Sequence, residues 1–344
     1  MVRPVATRPS RRLFRPPAAP VFLPAALAAC GRDHVQSALA PIGTDAARIA
    51  DLAWVLFVGG GLIFLATAVI ALVATFGTEG QRRVVGSRRF VLAGGVVFPV
   101  AALTALLAYT LGVTRAVEAA ASPEPPLRIE MTGRQFWWEA RYPGVSPGDG
   151  VVTANEIHIP VGRDVELAVA SADVIHSVWI PALHGKIDMI PGRVNTIRLR
   201  ADRPGVVRGQ CTEFCGAQHA LMAFWVVAET PEGFERWLAR QSRPAEPPGD
   251  EALAHGMRLF GQVGCGACHA VRGTGWNGQT GPDLTHVGSR LSLAAGTLSN
   301  HYGAFAGWIA GSQDIKPGNL MPSYNTVLDG RELRAVSAWL ESLK

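Results

Sequence analysis

The chain has 344 residues, 48% of them hydrophobic and only 17% charged, with a mean hydropathy of +0.19. That is too apolar for a disordered chain and long enough for two or three structural units. The formal net charge of +5 is confined to the amino end: residues 1–29 carry Arg3, Arg8, Arg11, Arg12 and Arg15 and no acid. The neutral remainder has no electrostatic case for binding nucleic acid. Five cysteines, Cys30, Cys211, Cys215, Cys265 and Cys268, are too few for an exported disulfide scaffold, and the two close pairs read as ligand or attachment pairs.

A basic stretch over residues 3–15 and a short apolar run over 21–29 define a secretory signal over residues 1–29. Leu27-Ala28-Ala29-Cys30 resembles a bacterial lipobox, which makes Cys30 the acylated residue; an ordinary signal anchor with an incidental Cys is the alternative. An extracytoplasmic segment, 30–48, follows. Residues 52–76 and 90–113 are then free of charge for 25 and 24 positions. Transmembrane helices are expected over 49–76 and 90–113, since roughly 20 apolar residues span the hydrocarbon core. The loop between them, 77–89, holds Arg82, Arg83, Arg88 and Arg89 against Glu79, which assigns it to the cytoplasm and the rest of the chain to the other side.

A Pro-rich linker, 114–126, leads into residues 127–231, where short β-type runs (151–152, 157–161, 165–170, 195–199 and 224–227) are broken by Gly and Pro. That pattern predicts a sandwich or barrel. Residues 232–250 read as a second linker, and from 251 to 344 the apolar spacing becomes helical, as in 253–260 and 333–343.

Within residues 209–222 (GQCTEFCGAQHALM) stand Cys211, Cys215, His219 and Met222, and upstream His176 lies among apolar residues in SADVIHSVWIP. Soft thiolates with imidazole and thioether favour copper over magnesium or calcium. Zinc is the rival, although Met is a poor zinc ligand. The segments HSVWIP, KIDMIPGR and CTEFCGAQHALM resemble the CuA domain of subunit II of the haem–copper cytochrome c oxidases. The resemblance implies a cupredoxin-like Greek-key fold and a dinuclear copper centre. Its ligands would be His176, Cys211, the carbonyl of Glu213, Cys215, His219 and Met222, with the Glu213 side chain reaching a magnesium site shared with subunit I. It also implies that electrons enter at the aromatic stretch Phe136, Trp137 and Trp138. Phe136 stands where relatives usually have Trp, so the resemblance leaves three readings: Trp137 or Trp138 serves instead, entry does not depend on this patch, or the rings only pack beneath a loop. Leu92 stands near where many relatives carry a Glu tied to proton uptake.

Cys265-Gly266-Ala267-Cys268-His269 is the C-x-x-C-H pattern of covalent haem attachment, with His269 as axial ligand. Asn319-Leu320-Met321-Pro322 supplies Met321 as the sixth ligand; His286 and His301 are the alternatives. Met257 reads as core, and His34, His158, His184 and His255 as surface or hydrogen-bonding residues. This region resembles class I cytochrome c, in which the carbonyl of Pro282 would hold the proximal imidazole.

The whole therefore reads as a multi-domain membrane protein: a two-helix transmembrane hairpin, an all-β cupredoxin-like sandwich and a C-terminal all-α cytochrome c domain. The resemblance implies the subunit through which electrons enter a terminal oxidase of the bacterial inner membrane, with its copper and haem domains on the periplasmic side. Haem c would pass electrons to the copper pair and on to subunit I, where oxygen reduction drives proton translocation. Subunit III is a further expected partner, and the upstream donor is a cytochrome c or the quinol–cytochrome c reductase complex. A copper-containing nitric oxide reductase using the same relay, and a membrane-anchored copper chaperone, are the alternatives.

Overall fold

A computed structural model of the chain describes residues 35–119, 125–144 and 150–344; the expected signal peptide and Cys30 lie outside them. The first long helix, α1 (Thr44–Phe76), is followed by the short helix α2 (Glu79–Val85). The second rod starts as α3 (Arg88–Leu92), passes through a π-helical turn (Ala93–Val97) and continues as α4 (Phe98–Ala119). Thr44–Phe76 and Arg88–Arg115 are long and apolar enough to cross a membrane, and the most apolar window of each is wholly unburied. The π turn contains Gly94 and Gly95, and glycine holds a regular helix poorly.

Besides the end of α4, which runs to Ala119 inside the expected linker 114–126, three boundaries differ from expectation. Residues 77–89 are not all loop: Thr78 and Gln81 form a capping box that starts α2. The first helix begins at Thr44 rather than at 49, and residues 35–43 are strapped to the β domain. Ile42 N–H donates to the carbonyl of Ala182 (2.9 Å), Asp202 N–H donates to the carbonyl of Ile42 (2.8 Å), and the Ile42 side chain joins the core. A Cβ on Gly43 would lie 2.2 Å from the carbonyl oxygen of Arg200, so only glycine fits where the strap turns into α1.

The β domain is a sandwich of two five-stranded sheets, ordered β3-β2-β1-β5-β8 and β4-β10-β9-β6-β7. The first comprises β1 (Leu127–Arg134), β2 (Trp137–Tyr142), β3 (Val151–Ala154), β5 (Val165–Ser171) and β8 (Asn195–Leu199). The second comprises β4 (Glu156–Pro160), β6 (His176–Trp179), β7 (Lys186–Met189), β9 (Gly205–Cys211) and β10 (Ala223–Glu229). β1–β5 and β4–β10 are parallel and the other pairs antiparallel. Burial alternates along β1, so that Ile129 and Met131 face the core, as the two-residue period of a strand requires.

The third difference lies at residues 232–250, where a linker was expected. Helix α5 (Pro231–Gln241) occupies its first half, with Thr230 Oγ accepting from Gly233 N–H and Pro at the first turn. The apolar spacing of Phe234, Trp237 and Leu238 closes one edge of the sandwich; Phe234 and Trp237 are buried, with Trp237 5.2 Å from the Tyr142 ring.

The carboxyl-terminal domain packs α6 (Glu251–Gln262) against α9 (Gly330–Ser342), with α7 (Tyr302–Ala310), α8 (Ser312–Ile315) and a two-stranded ribbon (Ser292–Leu293, Leu298–Ser299) beside them. A Cβ at Gly256 would lie 2.1 Å from the Ala335 carbonyl oxygen, so the α6–α9 crossing depends on glycine. Phe260, Trp276 and Trp339 form the aromatic centre of this second core. This domain sits on the sandwich: Ala223 N–H donates to Ala295 O (3.0 Å), Leu291 N–H to Glu156 Oε2 (2.7 Å) and Gln218 Nε2 to Pro317 O (2.8 Å).

Candidate metal centre and haem cavity

The donor atoms expected from two distant parts of the sequence meet at one end of the sandwich. β9 ends on Cys211 and β6 begins on His176. Because Val178 pairs with Cys211, the adjacent strands bring the imidazole and thiol together. His176 Nδ1 lies 4.0 Å from Cys211 Sγ, and Cys211 Sγ lies 3.8 Å from Cys215 Sγ. Cys215 Sγ is in turn 3.7 Å from His219 Nδ1 and 3.8 Å from Met222 Sδ. The Glu213 carbonyl oxygen points inward, 3.2 Å from Cys211 Sγ. The ligand atoms of His176, Cys211 and Cys215 lie within 4.8 Å of one another, and all three residues are buried. The carboxylate of Glu213 faces outward, 45% exposed and 3.8 Å from Lys186 Nζ.

This set of two thiols, two imidazoles, a thioether and a carbonyl, with His176, Cys211, Cys215 and Met222 buried and His219 half-buried, fits a soft metal. The hydrogen bond between Cys211 and Cys215 is the main influence holding Cys211 well below the usual thiol range, with the contact to His176 adding to it. The same hydrogen bond holds Cys215 above that range.

Neighbours that the sequence did not single out hold the ring of His176. Asp173 Oδ1 takes its Nε2 at 2.7 Å, while a Cβ on Gly133 would lie 2.8 Å from its Cδ2. Gln135 donates from Nε2 to the Cys215 carbonyl at 2.6 Å. Asp173 stands three residues before His176, a spacing that was a usable signal; the Gln135 contact left none.

The three aromatic residues expected to receive electrons have different positions. Trp138 is wholly buried, with its ring 6.1 Å from that of His176. It therefore offers no surface to another protein, contrary to expectation, because the period of β2 turns it into the core. Phe136 is only 6% exposed, and Trp137 is half-buried with Arg134 over its ring at 5.6 Å. Phe136 and Trp137 line the same cavity as Cys265, Cys268, His269 and Met321.

That cavity suits a covalently attached planar group. His269 Nδ1 is held by the Pro282 carbonyl at 2.7 Å, leaving Nε2 as its free nitrogen, and a Cβ on Gly281 would lie 2.5 Å from its Cε1. Burial, only partly opposed by the Pro282 hydrogen bond, lowers the pKa of His269 and favours the neutral, ligating form. Asn319 Oδ1 accepts from Met321 N–H at 2.7 Å, and Ser312 Oγ donates to the Met321 carbonyl at 2.7 Å. His286 does not compete for the cavity, since its nitrogens meet the carbonyls of Lys344 and Arg243. His301 caps α7.

A cupredoxin-like sandwich with a soft-donor cluster, joined to a helical domain with a C-x-x-C-H cavity, defines a two-domain membrane-anchored redox protein. Residues 148–229 match the family of the cytochrome c oxidase subunit II periplasmic domain, and residues 253–344 match the cytochrome c family. Cytochrome c oxidase subunit 2 of Alkalihalophilus pseudofirmus is 39% identical over 216 residues, 63% of this chain and 61% of that protein. The Bacillus subtilis subunit 2 is 29% identical over 230 residues, 64% of this chain and 63% of that protein. The crystallised periplasmic domain of cytochrome oxidase subunit II from Bradyrhizobium japonicum is 32% identical, with a TM-score of 0.32, covering 34% of this chain and 94% of that one. The chain thus spans just over three-fifths of the length of these two curated relatives. It is a subunit II homologue with a fused cytochrome c domain. Those two domain types imply copper and haem c.

Proposed function

We propose that the chain is the subunit through which electrons enter a membrane-bound terminal oxidase. The observation that carries this reading is the position of Phe136. It lines the cavity of Cys265, Cys268, His269 and Met321, and it packs on the other side against Gly216 in the Cys215–Met222 loop, where an added Cβ would meet its ring at 3.2 Å. One ring therefore borders both donor sets.

In this reading Cys265 and Cys268 would attach haem c, and His269 and Met321 would hold its iron. His176, Cys211, Cys215, His219, Met222 and the Glu213 carbonyl would hold copper. These groups supply one-electron chemistry in which no substrate bond breaks. The chain's own contribution is to hold their ligands still: Asp173 and Gly133 fix His176, Pro282 and Gly281 fix His269, and the buried walls exclude water. The outward Glu213 carboxylate is placed to share a magnesium ion with a partner subunit. Arg82, Arg83, Arg88 and Arg89 put the helical turn between the spans in the cytoplasm, and both redox domains on the periplasmic face of the bacterial inner membrane. Cys30 is the lipid attachment point. Subunit I, with subunit III beside it, takes the electrons for oxygen reduction coupled to proton translocation. A cytochrome c or the quinol–cytochrome c reductase complex supplies them.

The test is to purify the membrane complex through this chain, count its copper and haem, and measure oxygen and nitric oxide consumption. Two coppers and one covalent haem per chain with cyanide-sensitive oxygen uptake are expected. Nitric oxide turnover without oxygen uptake would move the relay to nitric oxide reduction, and a single labile copper without haem would leave a copper carrier.

A further inference from the structure

We infer that Lys316 is a positioning residue that fastens the cytochrome domain over Phe136 and so fixes how the haem cavity meets the Cys215–Met222 loop. The electron-transfer part of this inference rests on the relay proposed above.

Lys316 is 2% exposed. Its Nζ donates to three carbonyls: Phe136 at 2.9 Å, Leu221 at 3.0 Å and Ala294 at 3.1 Å. An ammonium has three N–H bonds, and each has an acceptor. Among the described residues Lys316 makes no ion pair. A buried ammonium without a carboxylate is costly, and burial pulls its pKa down to about 8. Three carbonyls converging on one nitrogen offset that cost only while the two domains are together, because two of the three belong to the sandwich.

The two sandwich carbonyls flank the metal loop. Phe136 packs on Gly216, and Leu221 directly precedes Met222. The third, from Ala294, lies in the cytochrome domain beside Ala295, whose carbonyl takes the Ala223 N–H. Next to Lys316, the Pro317 carbonyl accepts from Gln218, which lies between Cys215 and His219. The clamp thus grips two segments of the sandwich beside the soft donors, one of them the turn that carries Phe136. With the clamp closed, Phe136 and Trp137 line the haem cavity.

The test uses the full chain in its membrane complex, comparing wild type with Lys316→Met, which keeps length and removes the donors. The first readout is hydrogen exchange at the interdomain amides of Ala223 and Leu291, with the α6–α9 amides as an internal control. Exchange at those two amides is expected to rise about tenfold or more, the equivalent of losing one charged hydrogen bond, while the control amides stay protected. The second is the transfer of one electron from reduced haem c to oxidised copper after flash reduction, expected to slow about tenfold or more at unchanged haem and copper content. Wild-type exchange together with wild-type transfer in Lys316→Met overturns the inference. If wild type itself shows no haem-to-copper transfer, the relay fails and exchange alone judges the clamp. If Lys316→Met does not fold, Gln218→Ala is read in the same way: faster exchange at Ala223 and Leu291 upholds the clamp, and unchanged exchange overturns it.

Discussion

Asp173 Oδ1 and His176 Nε2 are 2.7 Å apart, on the side of the imidazole away from Cys211. The carboxylate therefore fixes which nitrogen faces the sulfur. It also anchors its own loop, since Asp173 accepts from the backbone N–H groups of Gln135 and Val174. Asp173→Ala is expected to weaken copper binding about 10- to 100-fold, the usual effect of removing such a support. Titration against a competing chelator measures it; wild-type affinity would show that the ring is held by packing on Gly133 alone.

Gly281 presses on the opposite kind of site. A methyl group there would lie 2.5 Å from His269 Cε1, so Gly281→Ala must push the ring away from the Pro282 carbonyl. The expected results are a destabilisation of about 1–3 kcal/mol and a haem absorption spectrum showing altered axial ligation, with both thioether attachments intact.

Stability should depend on pH through His158. Its ring lies between Glu156, at 3.0 Å from Nε2, and Glu229, and stacks on Trp237 at 4.1 Å. Burial alone would lower its pKa, but hydrogen bonds to Glu156 and then Glu229 outweigh it, so the folded value lies above 6.5. A raised value means that the folded state holds the proton more tightly. The stabilisation is complete below the unfolded value near 6.5 and is lost as pH rises through the folded one. Thermal midpoints of the sandwich are expected to fall across that window in wild type and to stay level in His158→Gln. A falling curve in the variant would assign the effect to other groups.

Phe234→Ala tests whether α5 belongs to the sandwich. The side chain is 1% exposed and packs beside Tyr142 and Trp237. A loss of about 3–5 kcal/mol is expected in denaturant unfolding, and a change below 1 kcal/mol would return residues 231–241 to linker status.

The donor sets were legible because each chemical type carries its own signature. Cys211, Cys215, His219 and Met222 share one short segment, and C-x-x-C-H is read from five consecutive residues. Strand positions were equally plain where β-branched runs meet turn residues, as at 195–199. What stayed hidden arises between segments. Lys316 reaches Phe136 across 180 positions, and no local pattern distinguishes it from a surface lysine. Phe136 stood in a stretch read as an electron entry or as packing beneath a loop; it belongs to the sandwich core and also lines a cavity built from residues far downstream. Residues 232–241 were read as linker, yet Pro231 stands in the first turn of α5, where proline suits a helix. Trp138 was grouped with its neighbours until the alternation of β2 separated them.

The strap formed by residues 35–43 alters how the extramembrane body is mounted. Ile42 is keyed into the sandwich on one side, and α1 follows after a single glycine. The first membrane rod is thus bolted directly to the β domain rather than hung from a tether. The tilt and height of the thiol cluster above the lipid surface then become properties of the chain itself, set before any partner arrives.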